Sequence, residues 1–383
     1  MEPSRQGQQS NRDSRTLSTA RGSSRRDERA GPGKRVLRSA VAGGTVCSDD
    51  FHPPAWLRNP HLQSMLASTA ARRGPITRRA AALIAAQREM LLDCGGGVRL
   101  QCFRSSPKGV RGSPVVLLHG WEGSAESLYV LSLGQQLFDR GFDVLRLNLR
   151  DHGETHHLNS GLFHSCLLPE VVGAMRALQS AVGGGPLRLV GFSLGGNFIL
   201  RVGAQARAAD LDIAKIVAVS PVLDPSDTLR ALEGGFFGYP RYFVRKWWRS
   251  LLKKQAAWPG HYDFAQLRRV RDLRRLTAEL IRRFTDFGTL EEYLEGYSIT
   301  GGRLAGLDVP TTLFTSLDDP IIPAGGLERL ARPPSLRIVV TQLGGHCGFL
   351  DRLTGPTWVE RRIIAELDTT AQPADLDPAL TSA

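Results

Sequence analysis

The chain of 383 residues is poor in cysteine and aromatic residues and lacks any long apolar run. Its five cysteines, Cys47, Cys94, Cys102, Cys166 and Cys347, are odd in number and scattered, and no two form a C-x-x-C pair. Structural zinc sites and dithiol redox motifs depend on such close pairs, so neither is expected, and a reducing cytoplasm is the simplest home. One pairing stays open, a cross-strand bond between Cys94 and Cys102 on either side of Gly95-Gly96-Gly97. No stretch of about 18 uncharged apolar residues occurs, so no helix is expected to span a bilayer. Aromatics make up 7% of the chain, yet an apolar share of 42% is enough for a sizeable core.

Acidic residues are scarce only locally. The net charge is +12, but residues 1–40 hold ten basic and four acidic side chains, and Arg241 to Lys254 hold six basic and no acidic ones. The remaining body is balanced. Charge confined to two segments argues against a general nucleic-acid-binding surface. Residues 1–45, rich in Arg, Ser, Gly and Gln, offer too little apolar surface to offset their ordering entropy and read as a disordered basic tail. Their Arg and Ser content resembles a transit peptide, but Glu2, Asp13, Asp27 and Glu28 speak against one. The end, from residue 368 to 383, reads as a second loose tail.

Between these ends, over residues 46–367, strand and helix patterns alternate. Arg88–Cys94 and Val98–Arg104 read as a hairpin across Gly95-Gly96-Gly97, followed by strands at Pro114–Leu118, Asp143–Asn148, Leu187–Gly191, Ile213–Ser220, Thr311–Ser316 and Leu336–Thr341. Helical segments separate them near Ala125–Arg140, Pro169–Val182, Leu194–Arg207 and Thr357–Leu367. Unalternated apolar runs of this length fit a mostly parallel, doubly wound α/β sheet covered on both faces. The interval 225–310 has no strand signal and is too long for a simple connection, so it reads as an inserted helical cap over the carboxyl edge of the sheet.

Gly191-Phe192-Ser193-Leu194-Gly195 matches G-x-S-x-G between an apolar strand and a helix. A serine there is thrown above the sheet on a sharp turn whose flanks tolerate only glycine. That context makes Ser193 a candidate nucleophile and the fold an α/β-hydrolase fold. A general base then follows later in the chain, and Gly344-Gly345-His346-Cys347-Gly348 after the last strand supplies His346. The acid follows the strand before it, at Ser316-Leu317-Asp318-Asp319-Pro320. Asp319 is preferred because Pro320 fixes the chain beyond it, and Asp318 remains a rival. Backbone N–H groups of Trp121, after Leu118-His119-Gly120, and of Leu194 are candidates for the oxyanion hole; His119 itself reads as loop-shaping. His152, His156, His157 and His164 cluster with Asp151 and Glu154, but their spacing matches no zinc signature.

Several blocks together resemble the YheT-like hydrolases, the AB-hydrolase type 4 family. They are Phe51 to Gln63 (F-H-P-P-A-W-L-R-N-P-H-L-Q), Leu118 to Ser124, Asn148 to Gly153, Phe163-His164-Ser165, Gly191 to Asn197, Asp318-Asp319-Pro320 and Gly344 to Phe349. The resemblance covers about residues 50–365. It implies carboxylic-ester hydrolysis of short- to medium-chain acyl or lipid esters without a cofactor, and it carries the triad onto Ser193, Asp319 and His346. One departure lies in the cap, where Tyr293 and Tyr297 stand apart in place of the family's Tyr-Tyr pair, so acyl-chain preference does not transfer.

The same triad would serve an acyltransferase to alcohols, and the same fold a non-catalytic lipid-binding protein. On a helical wheel the basic segment of the cap sets Phe243, Val244, Trp247, Trp248, Leu251 and Leu252 against Arg245, Lys246, Arg249 and Lys253, with Lys254 at the margin. Such a helix is either a lid over the cleft or a peripheral contact with an anionic membrane surface.

Overall fold

The computed structural model describes residues 45–47, 50–108, 113–236 and 238–368. The tail expected at residues 1–45 lies outside the described residues except for Thr45, as does the one after Asp368. Nine strands, β1 (Thr45–Cys47), β2 (Gln87–Asp93), β3 (Arg99–Ser105), β4 (Pro114–Leu118), β5 (Asp143–Leu147), β6 (Leu187–Phe192), β7 (Ile213–Val219), β8 (Thr311–Ser316) and β9 (Leu336–Thr341), form one sheet. Their order is β1-β9-β8-β7-β6-β4-β5-β3-β2. Only β2 and β3 run against their neighbours; the rest are parallel. β1 was not foreseen, and it extends the sheet by pairing with β9.

The apolar runs are continuous because both faces are covered. Val115, Leu117, Val144, Val190, Val217 and Phe314 point to one face, under the helices Leu128–Asp139 and Trp358–Asp368. Val116, Leu118, Leu145, Leu189, Ile216 and Leu313 point to the other, under Leu168–Ala181 and Leu194–Ala204. Each such side chain, fully buried, contributes roughly 1.5–3 kcal/mol. From β4 the chain passes to β5 on one side and then crosses to β6 on the other. That reversal opens a crevice at the carboxyl ends of β4 and β6, where parallel sheets bind ligands.

The hairpin register sets Met90, not Cys94, opposite Cys102. Both cysteines are buried free thiols, and burial pushes each up to about 12. The disulfide left open by the sequence is therefore absent. Between β7 and β8 the chain runs through the helices Pro225–Gly234, Gly238–Ala257, Leu273–Phe284 and Leu290–Gly296, with no strand among the described residues. Among the described residues no helix is long and apolar enough to cross a membrane.

Candidate active site

The turn after β6 holds Ser193 at φ 53°, ψ −119°, a left-handed conformation that few non-glycine residues adopt. Its neighbours explain why only glycine fits beside it. A Cβ on Gly191 would lie 2.5 Å from the Gly195 carbonyl oxygen, and one on Gly195 would lie 2.4 Å from the carbonyl oxygens of Leu118 and His119. The strained serine is thus held by the packing of β4 against the following helix.

His346, on the loop after β9, approaches from the other side. Its Nε2 lies 2.9 Å from Ser193 Oγ, and its Nδ1 lies 2.8 Å from Asp319 Oδ2. The other oxygen of Asp319 accepts the N–H groups of Ile321 and Ile322 at 2.8 and 2.9 Å. These amides fix which carboxylate oxygen faces the imidazole, so the tautomer with a proton on Nδ1 is assigned and Nε2 is left to accept from the serine. Burial pulls the His346 pKa down, but the charge and hydrogen bond of Asp319, joined by those of Cys347, together outweigh it and hold the imidazole well above the ordinary histidine value.

Asp318 does not touch the ring. Its Oδ1 accepts the Gly345 N–H at 2.9 Å, while burial raises its pKa. Three successive N–H groups of the histidine loop are in fact held by side chains: Gly345 by Asp318, His346 by Ser64 Oγ at 2.8 Å and Cys347 by Ser220 Oγ at 3.3 Å. Sequence reasoning missed Ser64, which lies 282 residues from its partner. The signal available was the Phe51 to Gln63 block. In it Asn59 caps the helix Pro60–Leu66, and Gln63 clamps the carbonyls of Leu57 and Leu350 at 2.8 and 2.9 Å.

On the β4 side, Gly120 presses against the nucleophile turn, since a Cβ there would meet Ser193 Cβ at 3.1 Å. The Gly120 N–H is bound by the Tyr129 hydroxyl at 3.0 Å, which leaves the N–H of Trp121 as the next donor along that loop. His119 is buried, with Nδ1 2.7 Å from the Gly120 carbonyl oxygen and Nε2 accepting from Leu149, and burial lowers it to about 4. The histidine cluster is dispersed among separate contacts. His152 donates to the Arg150 carbonyl and accepts from Glu122, His156 meets Ser250, and the His164 ring lies edge-on to Phe287.

A cavity of about 720 Å³ opens above Ser193 and His346, walled mainly by apolar side chains of the inserted helices, among them Leu229, Leu232, Phe243 and Trp247. Among the described residues lining it, Arg73 and Lys246 are the only arginine and lysine, and there is no aspartate or glutamate. The helix Gly238–Ala257 turns Phe243 and Trp247 inward, where both rings lie 5.2 Å from Trp121. Its basic residues are largely engaged. Lys246 donates to the Glu122 carbonyl, Lys253 pairs with Glu154, and Lys254, expected at the margin, is fully buried against Asp151 at 2.7 Å and the carbonyls of Asn159 and Gly161. Arg245 and Arg249 remain exposed. Tyr293 and Tyr297, separate in sequence, stand one helical turn apart with ring centroids at 5.1 Å.

A strained serine above a parallel sheet, a histidine at its oxygen and a greasy chamber over both define an α/β hydrolase. The α/β-hydrolase fold profile matches residues 113–353, and the chain belongs to that family and is a hydrolase. It is similar to the YheT protein of Escherichia coli (strain K12), 27% identical over 82% of this chain and 92% of the relative. The slr0264 protein of Synechocystis sp. is also 27% identical, over 66% of this chain and 75% of its own; both carry esterase names. Phospholipase ABHD3 of Mus musculus is 22% identical over 80% and 74%. The resemblance to YheT-like hydrolases read from the motifs therefore holds.

Proposed function

We propose that the protein hydrolyses carboxylic esters of short- to medium-chain acyl groups or lipids, with Ser193 as nucleophile, His346 as general base and Asp319 as its orienting acid. The unbroken line from Asp319 Oδ2 through His346 to Ser193 Oγ carries this reading, with contacts of 2.8 and 2.9 Å. Ser193 Oγ adds to the ester carbonyl carbon while its proton passes to His346 Nε2, and Asp319 stabilises the imidazolium. The carbonyl oxygen becomes an oxyanion held by the N–H groups of Trp121 and Leu194. Collapse expels the alcohol with the proton from His346 and leaves an acyl-enzyme, which water hydrolyses with the same base. The apolar cavity favours an acyl chain, and the phospholipase name of one relative points to lipid esters as substrates.

Labelling by a fluorophosphonate probe, together with hydrolysis of p-nitrophenyl butyrate, tests the assignment. Both should vanish in Ser193→Ala and in His346→Ala, and the double variant should lose little more than either, because such groups act as a unit. Substantial hydrolysis by folded Ser193→Ala would refute it. A wild-type protein that neither labels nor hydrolyses would instead fit a lipid-binding role.

A further inference from the structure

The block from Phe51 to Gln63 and its continuation to Ser64 have no part in the chemistry above, yet they reach the base directly. We infer that Ser64 is a positioning residue for His346, and that Tyr239 of the inserted helix, through His61, ties the cap to the helix that carries it. This rests on the hydrolase reading of the site.

The Ser64 hydroxyl has one proton and two lone pairs. The proton goes to the Pro60 carbonyl at 2.7 Å, and one lone pair takes the His346 N–H at 2.8 Å. Tyr239 stands in the first turn of the helix Gly238–Ala257, is buried, and faces His61 Nδ1 at 3.1 Å. His61 and Ser64 lie on the same short helix, Pro60–Leu66, so the Tyr239 contact bears on the turn that presents the Ser64 hydroxyl. The contact is close as well as polar. A Cβ on Gly345 would fall 2.5 Å from the Pro60 carbonyl oxygen and 2.8 Å from Ser64 Oγ, so the histidine loop lies on this helix turn.

Asp318 and Ser220, which hold the flanking amides, belong to the loops after β8 and β7 and are fixed by the sheet. Ser64 alone of the three sits on an element bonded to the cap, since the helix Pro60–Leu66 meets Tyr239 through His61. Displacement of the cap helix therefore pulls on the amide of the general base, and its seating completes the alignment of His346 with Ser193. Small displacements matter here, since misplacement of a reacting group by about 1 Å can cost roughly a hundredfold in rate.

The test is a double-mutant cycle on the full chain with p-nitrophenyl butyrate. Ser64→Ala should lower kcat by roughly tenfold to a hundredfold with KM unchanged, and Ser64→Thr, which keeps the hydroxyl, should recover most of it. Tyr239→Phe keeps the ring and should lower kcat by roughly threefold to tenfold, the effect of one hydrogen bond. Placed on Ser64→Ala it should add nothing, because its influence, carried by His61 and the helix Pro60–Leu66, ends at the Ser64 hydroxyl. A wild-type kcat in Ser64→Ala would overturn the inference. So would an equal loss from Tyr239→Phe in both backgrounds. A wild-type protein without esterase activity overturns the hydrolase reading and this one with it.

Discussion

Asp319→Asn is the sharpest test of the site, because the surroundings dictate how asparagine would sit. The N–H groups of Ile321 and Ile322 both point at Oδ1, at 2.8 and 2.9 Å. An amide NH₂ placed there would face two donors, so the asparagine oxygen stays with them and the NH₂ is turned toward His346 Nδ1. The imidazole must then accept at Nδ1 and carry its proton on Nε2, where it can no longer take the Ser193 proton. Loss of the correct tautomer costs up to roughly 10⁴-fold in kcat, about 5.4 kcal/mol of transition-state stabilisation. The His346 pKa, held well above 6.5 by the Asp319 charge against the pull of burial, should fall in the same variant. A general base works only when neutral, so wild-type activity is lost as pH falls through that raised pKa. The acid limb of kcat/KM should therefore move to lower pH in Asp319→Asn. Asp318→Asn keeps its bond to the Gly345 N–H and should stay within about tenfold, the worth of one modest hydrogen bond. The assay is p-nitrophenyl butyrate hydrolysis from pH 5 to 9, with circular dichroism confirming the fold. An Asp319→Asn enzyme within about tenfold of wild type, or an equal collapse in Asp318→Asn, would refute the reasoning.

Lys254→Met should destabilise the protein by about 3–5 kcal/mol, since it leaves Asp151 charged and buried without its partner; a urea midpoint shift worth under about 1 kcal/mol would show that water reaches the pair. Peripheral contact with anionic lipid would fall to Arg245 and Arg249, because Lys246, Lys253 and Lys254 are engaged within the protein. Arg245→Glu with Arg249→Glu should then reduce co-sedimentation with anionic vesicles at low salt, by about 1 kcal/mol per residue removed. Equal binding to neutral and anionic vesicles by the wild type would leave the helix Gly238–Ala257 as a lid alone.

The parallel part of the sheet was legible because burial on both faces writes unbroken apolar runs, from which six of the nine described strands follow within a residue or two; β2 and β3, more exposed, were read instead from the Gly95-Gly96-Gly97 turn between them. β1 escaped because three residues at the end of an Arg- and Ser-rich stretch carry no period. The nucleophile turn could be read from five consecutive residues, since glycines at both flanks answer a local steric demand. The choice between Asp318 and Asp319 was legible only as a preference, drawn from Pro320, because both follow the same strand and the turn there decides which carboxylate meets the imidazole. The inserted helices were expected as a cap, but the wheel could not say which charges face solvent. Lys254 looks like a surface lysine until Asp151, more than a hundred residues earlier, is folded against it. Ser64 adjoins the recognisable block from Phe51 to Gln63, but its partner, 282 residues later, left no mark beside it.

The distance along the chain between the reacting groups has a consequence for biosynthesis. Ser193 leaves the ribosome 153 residues before His346 does, and Ser64 waits through 282 residues for the loop it holds. Chains are made at roughly 5–20 residues per second, so for roughly 8–30 seconds the nascent protein displays Ser193 without His346. Parallel pairing over such separations also folds slowly. On the proposed chemistry the last strand and the histidine loop thus act as the arming step: a chain released short of them would have Ser193 and most of the greasy chamber, and no base to activate the serine.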